Sequence, residues 1–204
     1  LPLMEIVPLP FEWPRGLDIK DIDWVFFTSA QGVASFFLRL SELDLVLSDK
    51  TRFAVVGART DTSLKKWEKE ASFQPSDSYG QTLFTEFIQH YPENRQVVMY
   101  ARARDVEYDP APLFFGRGYK YYSVPCYESV ERNIDPKVIS KIKRNDAILF
   151  TAPSMVRAYQ RQFGNPQARL LAIGNTTAAE MERQRWRNIV VLKQADVNSV
   201  LEYL

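Results

Sequence analysis

DWVFFTSAQGVASFF at Asp23–Phe37, followed by FAVVGARTDTSL at Phe53–Leu64, is restated later in the same chain. The later form is DAILFTAPSMVRAYQ at Asp146–Gln160, followed by LLAIGNTTAAEM at Leu170–Met181. The copies match in order: Asp23 with Asp146, Phe27 with Phe150, Thr28 with Thr151, Val33 with Val156, Gly57 with Gly174 and Thr60 with Thr177. Each begins with an apolar run of strand length that follows an aspartate and stops at a hydroxyl residue. A helical pattern comes next, then a second apolar run that ends in Gly-x-x-Thr and opens another helix. Strand, helix, strand, helix is the signature of a parallel sheet with crossovers. Two ordered copies of two motifs predict an α/β fold of two similar lobes, each a parallel sheet flanked by helices.

The remaining chain is read outward from these copies. Met4–Leu9 reads as a strand closed by Pro8 and Pro10, because proline removes a ladder donor. Phe11–Asp21 is a Pro/Gly-punctuated connection or short helix. Thr28 or Ser29 is expected to cap a helix reaching about Leu43, with Val33, Phe36, Phe37 and Leu40 facing inward. Thr60 or Asp61 is expected to cap the next helix, which runs to about Glu70. A short strand is expected at Ala71–Pro75, then a helix opening near Ser76 and Ser78 with Leu83, Phe84, Phe87 and Ile88 on its apolar face. Gln96–Tyr100 and Tyr121–Tyr127 read as strands, Ala101–Pro112 as a loop, and Glu131–Lys143 as a turn with a short helix. The later strands fall at Ala147–Phe150, Leu170–Ile173 and Ile189–Leu192, and Val197–Leu204 is a helical pattern. Ser123–Tyr127 precedes the later copy much as Glu5–Leu9 precedes the earlier one, which suggests interleaved lobes. One lobe is expected to combine 1–11 with 129–204, the other to run through 12–128. By that symmetry the sequence lacks a strand and helix ahead of Leu1.

Composition narrows the function. A net charge of +1 gives no global basic field, so nucleic acid is not implied. No apolar run approaches the ~20 residues that span a bilayer. The single Cys126 excludes an intramolecular disulfide and fits a reducing compartment, with the cytoplasm as the default. With one histidine and one cysteine, a conventional zinc or iron–sulfur site is not expected. No Gly-x-Gly-x-x-Gly or Walker pattern marks a nucleotide enzyme.

Five blocks, in order, resemble the uroporphyrinogen-III synthase family: D-W-V-F-F-T-S-x-x-x-V from Asp23, V-V-G-x-x-T from Val55, V-P-x-Y-E from Val124, F-T-x-P-S-x-V from Phe150 and A-I-G-x-T-T-A from Ala172. Together they cover nearly the whole chain after about residue 4. The resemblance implies two α/β lobes on a two-stranded linker, the first lobe interrupted by the second. It implies a cofactor-free cyclisation of hydroxymethylbilane to uroporphyrinogen III, with loss of water and inversion of ring D through a spiro intermediate. A cytoplasmic monomer of tetrapyrrole and haem biosynthesis is the corresponding expectation. The chain departs from the family pattern in three places: the opening V-L-V-T-R strand is absent, Ala152 stands where serine is usual, and Ala101–Arg104 replaces an R-G turn. These departures feed an alternative, a synthase-like binding or regulatory domain without turnover. A two-lobed anion receptor of periplasmic type is a more distant one.

Such a substrate carries one acetate and one propionate per pyrrole ring, so its site must bind a polyanion. Helix N-termini do so through first-turn N–H groups that lack internal partners. In open parallel sheets these termini gather at the carboxyl ends of the strands. The candidate substrate contacts at those ends are Thr28, Ser29, Gly57, Thr60, Thr151, Ser154, Gly174, Thr176 and Thr177, with Ser76 at a further helix start. A lone serine or threonine there most often only caps its helix; four such edges facing one cleft point jointly to anion binding. Tyr127, matching the tyrosine of V-x-Y-E, is the candidate catalytic residue, a general acid for the departing hydroxyl; the plainer account is a packed linker tyrosine. Arg102 and Arg104 can clamp carboxylates after a strand end or simply be solvated. Tyr100, Tyr121 and Tyr122 either line the cleft or belong to the core. Lys65, Lys66 and Lys69 read as a solvated helix face, His90 as a favourable charge at a helix end, and Cys126 as a buried strand residue.

Overall fold

The first strand of each copy is placed by its aspartate. In the computed structural model, which describes residues 3–92, 95–106, 108–144, 146–193, 200, 201 and 203, β2 (Trp24–Phe27) follows Asp23 and β6 (Ala147–Phe150) follows Asp146. The Asp23 carbonyl accepts from Arg52 N–H and the Asp146 carbonyl from Arg169 N–H, both at 2.9 Å. Those bonds open parallel pairings of β2 with β3 (Arg52–Val55) and of β6 with β7 (Arg169–Ala172). The registers are equivalent, Phe27 opposite Val55 and Phe150 opposite Ala172.

The chain divides into two compact units, residues 6–129 and residues 1–5 with 130–204. One sheet has the order β1 (Met4–Pro8), β5 (Lys120–Glu131), β4 (Val97–Ala103), β2, β3; the other is β6, β7, β8 (Ile189–Val191). Both are parallel throughout β2–β5 and β6–β8. Only β1 runs against its neighbour, since Leu9 N–H reaches the Cys126 carbonyl while Arg132 N–H reaches the Leu3 carbonyl.

The WVFF run of β2 is wholly buried because helices cover both faces. Val25 and Phe27 pack against α1 (Ala30–Glu42) and α2 (Ala58–Lys65), with Val33, Phe36, Phe37, Leu40 and Leu64. Trp24 and Phe26 pack on the other face against Leu83, Phe84, Phe87 and Ile88 of α3 (Gly80–His90) and Phe114 of α4 (Ala111–Phe115). Burying each such ring contributes about 1.5–3 kcal/mol. The second unit repeats the plan with fewer strands: Phe150, Leu170 and Ala172 pack with Val156 and Tyr159 of α6 (Pro153–Phe163), Met181 of α7 (Asn175–Arg183) and Trp186. A four-residue helix, α5 (Pro136–Ile139), is capped by Asp135, and a 3-10 turn at Ile19–Asp21 by Asp18.

Several expectations are corrected. Helix α2 is capped by Gly57, not by Thr60 or Asp61, and it ends at Lys65 rather than near Glu70. Asp61 instead pairs with Lys65 at 2.7 Å, and Lys65 lies on the exposed face of the helix as expected. Residues 71–75 form no strand; only Phe73 bridges to Ala54, because Ser72 and Phe73 N–H groups both turn in to the Phe53 carbonyl. Helix α3 starts at Gly80, past Ser76 and Ser78. Strand β4 continues to Ala103, and α4 occupies part of the expected loop, its N–H at Ala111 held by Asp109. Strand β5 extends to Glu131, so Tyr127 is inside a strand rather than at its end. Most of the helical pattern at Val197–Leu204 lies outside the described residues.

Candidate active site

Where β2 ends, its backbone delivers two hydroxyls side by side. Ser29 is the N-cap of α1, and its Oγ accepts from Gly32 N–H at 2.9 Å. The same oxygen lies 2.8 Å from Tyr127 Oη, and Thr28 Oγ1 lies 2.9 Å from Tyr100 Oη. Each phenol thus shares a proton with a hydroxyl at the carboxyl end of the central strand.

A bulge aims Tyr127 there. Arg102 pairs with Pro125 but Ala103 pairs with Tyr127, so Cys126 is an extra residue in β5. In a regular strand consecutive side chains face opposite ways; at this bulge Cys126 and Tyr127 both pack on the α1 side. Gly32 lets α1 lie close to β4: a Cβ there would stand 3.2 Å from the Ala101 carbonyl, tighter than ordinary contact, though an ordinary 3.7 Å from the Tyr127 ring. Burial raises the Tyr127 phenol above its ordinary value, and the Ser29 hydrogen bond only partly offsets this. Tyr100 is raised for the same reason, with Thr28 opposing. Both phenols hold their protons at neutral pH.

Two pockets adjoin at Thr28. The larger, about 740 Å³, has Tyr127, Tyr100, Thr28 and Asp105 in its wall and the first turn of α3, Gly80 to Thr82, at its edge. The smaller, about 280 Å³, is walled by the first turns of α1 and α2, including Ser29, Gly57 and Thr60. Helices α2 and α3 have no side-chain cap, and their first-turn N–H groups are what an anion would meet. A Cβ at Gly57 would fall 2.7 Å from Ser78 Oγ, so the serine hydroxyl would have to turn away.

The second unit repeats the backbone but not the cap. Ala152 caps α6 at φ −159°, ψ 152°, against φ −159°, ψ 153° at Ser29, and offers no side-chain acceptor. Ser154 sits in that first turn behind Pro153. Thr151 is exposed, its hydroxyl turned to Met155 Sδ at 3.1 Å. Gly174 caps α7 with no side chain, Thr176 is exposed in its first turn, and Thr177 is buried.

Within residues 6–129 the structure therefore brings together Thr28, Ser29, Gly57 and Tyr127. Thr60 edges the smaller pocket but is itself buried, a packing residue of α2. Ser76 is not brought in: its N–H and hydroxyl both donate to Glu86, whose carboxyl they hold below the usual range. Arg102 lies within β4 and spends its guanidinium on the Ala103 and Arg104 carbonyls, at the wall of a separate pocket with Tyr121 and Ser123. Arg104 pairs with Glu128. Tyr121 stacks on Phe114 in the aromatic core. Cys126 is buried, its thiol pushed up to about 12 by burial.

The model of the family described as Uroporphyrinogen-III synthase HemD (HEM4) matches residues 1–202. The chain belongs to the uroporphyrinogen-III synthase family. A solved uroporphyrinogen-III synthetase from Helicobacter pylori is 20% identical with a TM-score of 0.69, over 98% of this chain and 89% of that one. A mutant synthase from the extremely thermophilic bacterium Thermus thermophilus is 18% identical with a TM-score of 0.59, over 99% and 86%. These likenesses speak to the fold, parallel α/β sheets flanked by helices. No curated protein matches the chain.

For a member of the synthase family, the residues that sequence reasoning missed are those at the α3 start. Gly80, Gln81 and Thr82 lie in the wall of the larger pocket, beside Tyr79 and Asp105. The signal was present in Asp77, whose carboxylate accepts from Tyr79 N–H and turns the chain into the helix. Three capping-type residues before it, Ser76, Asp77 and Ser78, drew the start too early.

Proposed function

We propose that this chain is a hydro-lyase that cyclises hydroxymethylbilane to uroporphyrinogen III, losing water and inverting ring D, in tetrapyrrole and haem biosynthesis. The observation that carries the reading is the Tyr127–Ser29–Gly32 chain of hydrogen bonds, whose phenol stands in the wall of a pocket edged by an uncapped helix start. The substrate's acetates and propionates are taken by first-turn N–H groups of α2 and α3, helped by Thr28 and Gly57, and in the other unit by those of α6 and α7 at Thr151, Ser154, Gly174, Thr176 and Thr177. Thr60 and Thr177 support these turns from beneath, and Arg102 holds the loop after β4.

In the first chemical step the hydroxymethyl C–O bond on ring A breaks. Its oxygen takes the Tyr127 proton and leaves as water, while the ring A nitrogen lone pair supplies the electrons for an exocyclic double bond. The phenolate left behind accepts from the Ser29 hydroxyl, whose oxygen keeps the Gly32 N–H. Ring D then attacks the exocyclic carbon through its substituted position, giving the spiro intermediate. The bond from that position to the ring C methylene breaks as the ring C nitrogen lone pair forms a new exocyclic double bond. The free α-position of ring D attacks this methylene and gives up its proton, which restores the Tyr127 phenol. Much of the rate comes from holding a flexible tetrapyrrole so that its ends meet, so Tyr127 accelerates without being indispensable.

The reading includes a cytoplasmic monomer whose two units are two lobes joined by β1 and β5, the first lobe discontinuous. Light scattering and small-angle scattering test that part. Incubation with hydroxymethylbilane and separation of the products tests the activity. Type III isomer above the spontaneous type I background is expected, and type I alone from folded protein overturns the proposal.

A further inference from the structure

Residues 1–5 and 130–204 carry a second polar pocket, at the edge of their sheet opposite to the helix starts. It has a volume of about 420 Å³, and four arginines line it: Arg144, Arg169, Arg185 and Arg187. Arg144 precedes β6, Arg169 is the first residue of β7, and Asn188 stands immediately before β8. These are the amino ends of parallel strands, whereas α6 and α7 begin at the carboxyl ends. The pocket is therefore separate from the tetrapyrrole contacts proposed above.

Its chemistry is one-signed. Among the described residues no carboxylate is in the lining, which adds the amides of Asn165, Gln167 and Asn188 to the guanidiniums; Arg169 also donates one N–H to the Tyr203 carbonyl. Among the described residues, seven other basic side chains pair with carboxylates, while none of these four does. Four cations gathered in a chain whose net charge is only +1 are a local device.

The turn that presents two of them is rigid and conformationally costly. Past α7, Arg185 has φ 62° and Asn188 has φ 58°. Trp186 N–H closes back on the Met181 carbonyl and Arg185 N–H on the Glu182 carbonyl, the helix-ending motif whose left-handed position ordinarily holds glycine. An arginine there is the disfavoured choice for the backbone. Trp186 fixes the turn between them: it is buried against Phe150 and Tyr159, and its Nε1 donates to Gln160 Oε1 at 2.7 Å.

We propose that this pocket binds a small polyanion carrying two or more phosphate or carboxylate groups. Planar guanidiniums bind such groups through paired N–H donors, and the volume is that of a small-molecule site. Trp186 is the one aromatic in the lining and is 5% exposed, so a nucleobase has no face to stack on.

The test is calorimetric titration of the full chain with pyrophosphate and, separately, with citrate at about 0.15 M salt, alongside the variants Arg185→Gly and Arg187→Ala. Saturable one-to-one binding of at least one probe is expected, and the probe that binds decides between phosphate and carboxylate as the source. Each variant should weaken it by about tenfold or more. Arg185→Gly should do so with an unchanged or higher Tm, since glycine suits the turn, and with type III synthesis unchanged. Failure of both probes to saturate overturns the proposal, as does parental affinity in the two variants. Loss of type III synthesis in Arg185→Gly would overturn the separateness of the pocket.

Discussion

Replacing Ala152 by serine should stabilise this protein. The backbone at Ala152 already has the N-cap conformation, within one degree of that at Ser29, where the hydroxyl accepts from the third helical N–H. A serine at 152 would accept from Met155 N–H, the counterpart of Gly32, which in the present chain reaches the Ala152 carbonyl at 3.1 Å. Serine in place of alanine at an N-cap is typically worth ~1 kcal/mol, within a range of about 0.5–2. That converts to about 4–8 °C in Tm if residues 1–5 and 130–204 melt on their own, or about 2–4 °C if the chain melts as one. The reverse change, Ser29→Ala, should cost more than ~1 kcal/mol, because Tyr127 Oη also loses its partner. Thermal melts followed by circular dichroism, with hydrogen exchange at the Met155 amide, measure both effects. An unchanged or lower Tm in Ala152→Ser, with the Met155 amide no better protected, would refute the argument that the two helix starts are equivalent.

Tyr127→Phe should lower kcat by about 10²–10⁴-fold if proton donation is at issue, with KM little changed and the alkaline limb of the pH profile lost; an unaltered rate would remove Tyr127 from the chemistry. Gly174→Ser has open space around it, so it should leave the fold intact, gain a few tenths of a kcal/mol and raise KM by occupying an N–H that the substrate uses; an unchanged KM would count against anion binding at α7. Stability should fall on acidification. Hydrogen bonds from Arg161, then Gln162, hold the Glu131 carboxyl below the ordinary 4.5, and burial of Glu180 is outweighed by Gln184, Arg183 and Arg157. Carboxylates lowered in the folded state contribute fully above 4.5 and lose that contribution as the pH falls through their folded values. Urea midpoints that stay flat from neutral pH to about pH 3 would show these pairs to be inert.

The parallel sheets were readable because both strand and helix signals repeat. An apolar run bounded by aspartate and a hydroxyl has few readings, and its second occurrence removes most of the rest. What could not be read were features decided by contacts distant in sequence. Thr60 looks like a cap by type and spacing, but α2 begins at Ala58, so Gly57 takes the role and Thr60 is buried inside the helix. The segment 71–75 has strand composition, yet only Phe73 finds a partner, next to a strand already paired with β2. Tyr127 was found through its motif alone. Nothing local announces the bulge at Cys126 or the Ser29 partner 98 residues away.

Among the described residues five helices have eight or more residues, and of these α1 alone has a side-chain cap; α2, α3, α6 and α7 have none. Leaving a cap out is not uniformly costly. Glycine at an N-cap forgoes only a few tenths of a kcal/mol against serine, whereas alanine forgoes ~1. Gly57 and Gly174 therefore expose their first-turn donors at small cost, and at Gly57 a side chain would also have to displace the exposed Ser78 hydroxyl. Gly174 has no such neighbour, so packing does not explain it; the substrate contact proposed at the start of α7 would, because it needs unobstructed N–H groups. Ala152 is the costlier choice and follows the same logic. Only at Ser29, where the capping oxygen must also hold the Tyr127 hydroxyl, is a side chain at the cap kept, and there it serves the phenol as well as the helix.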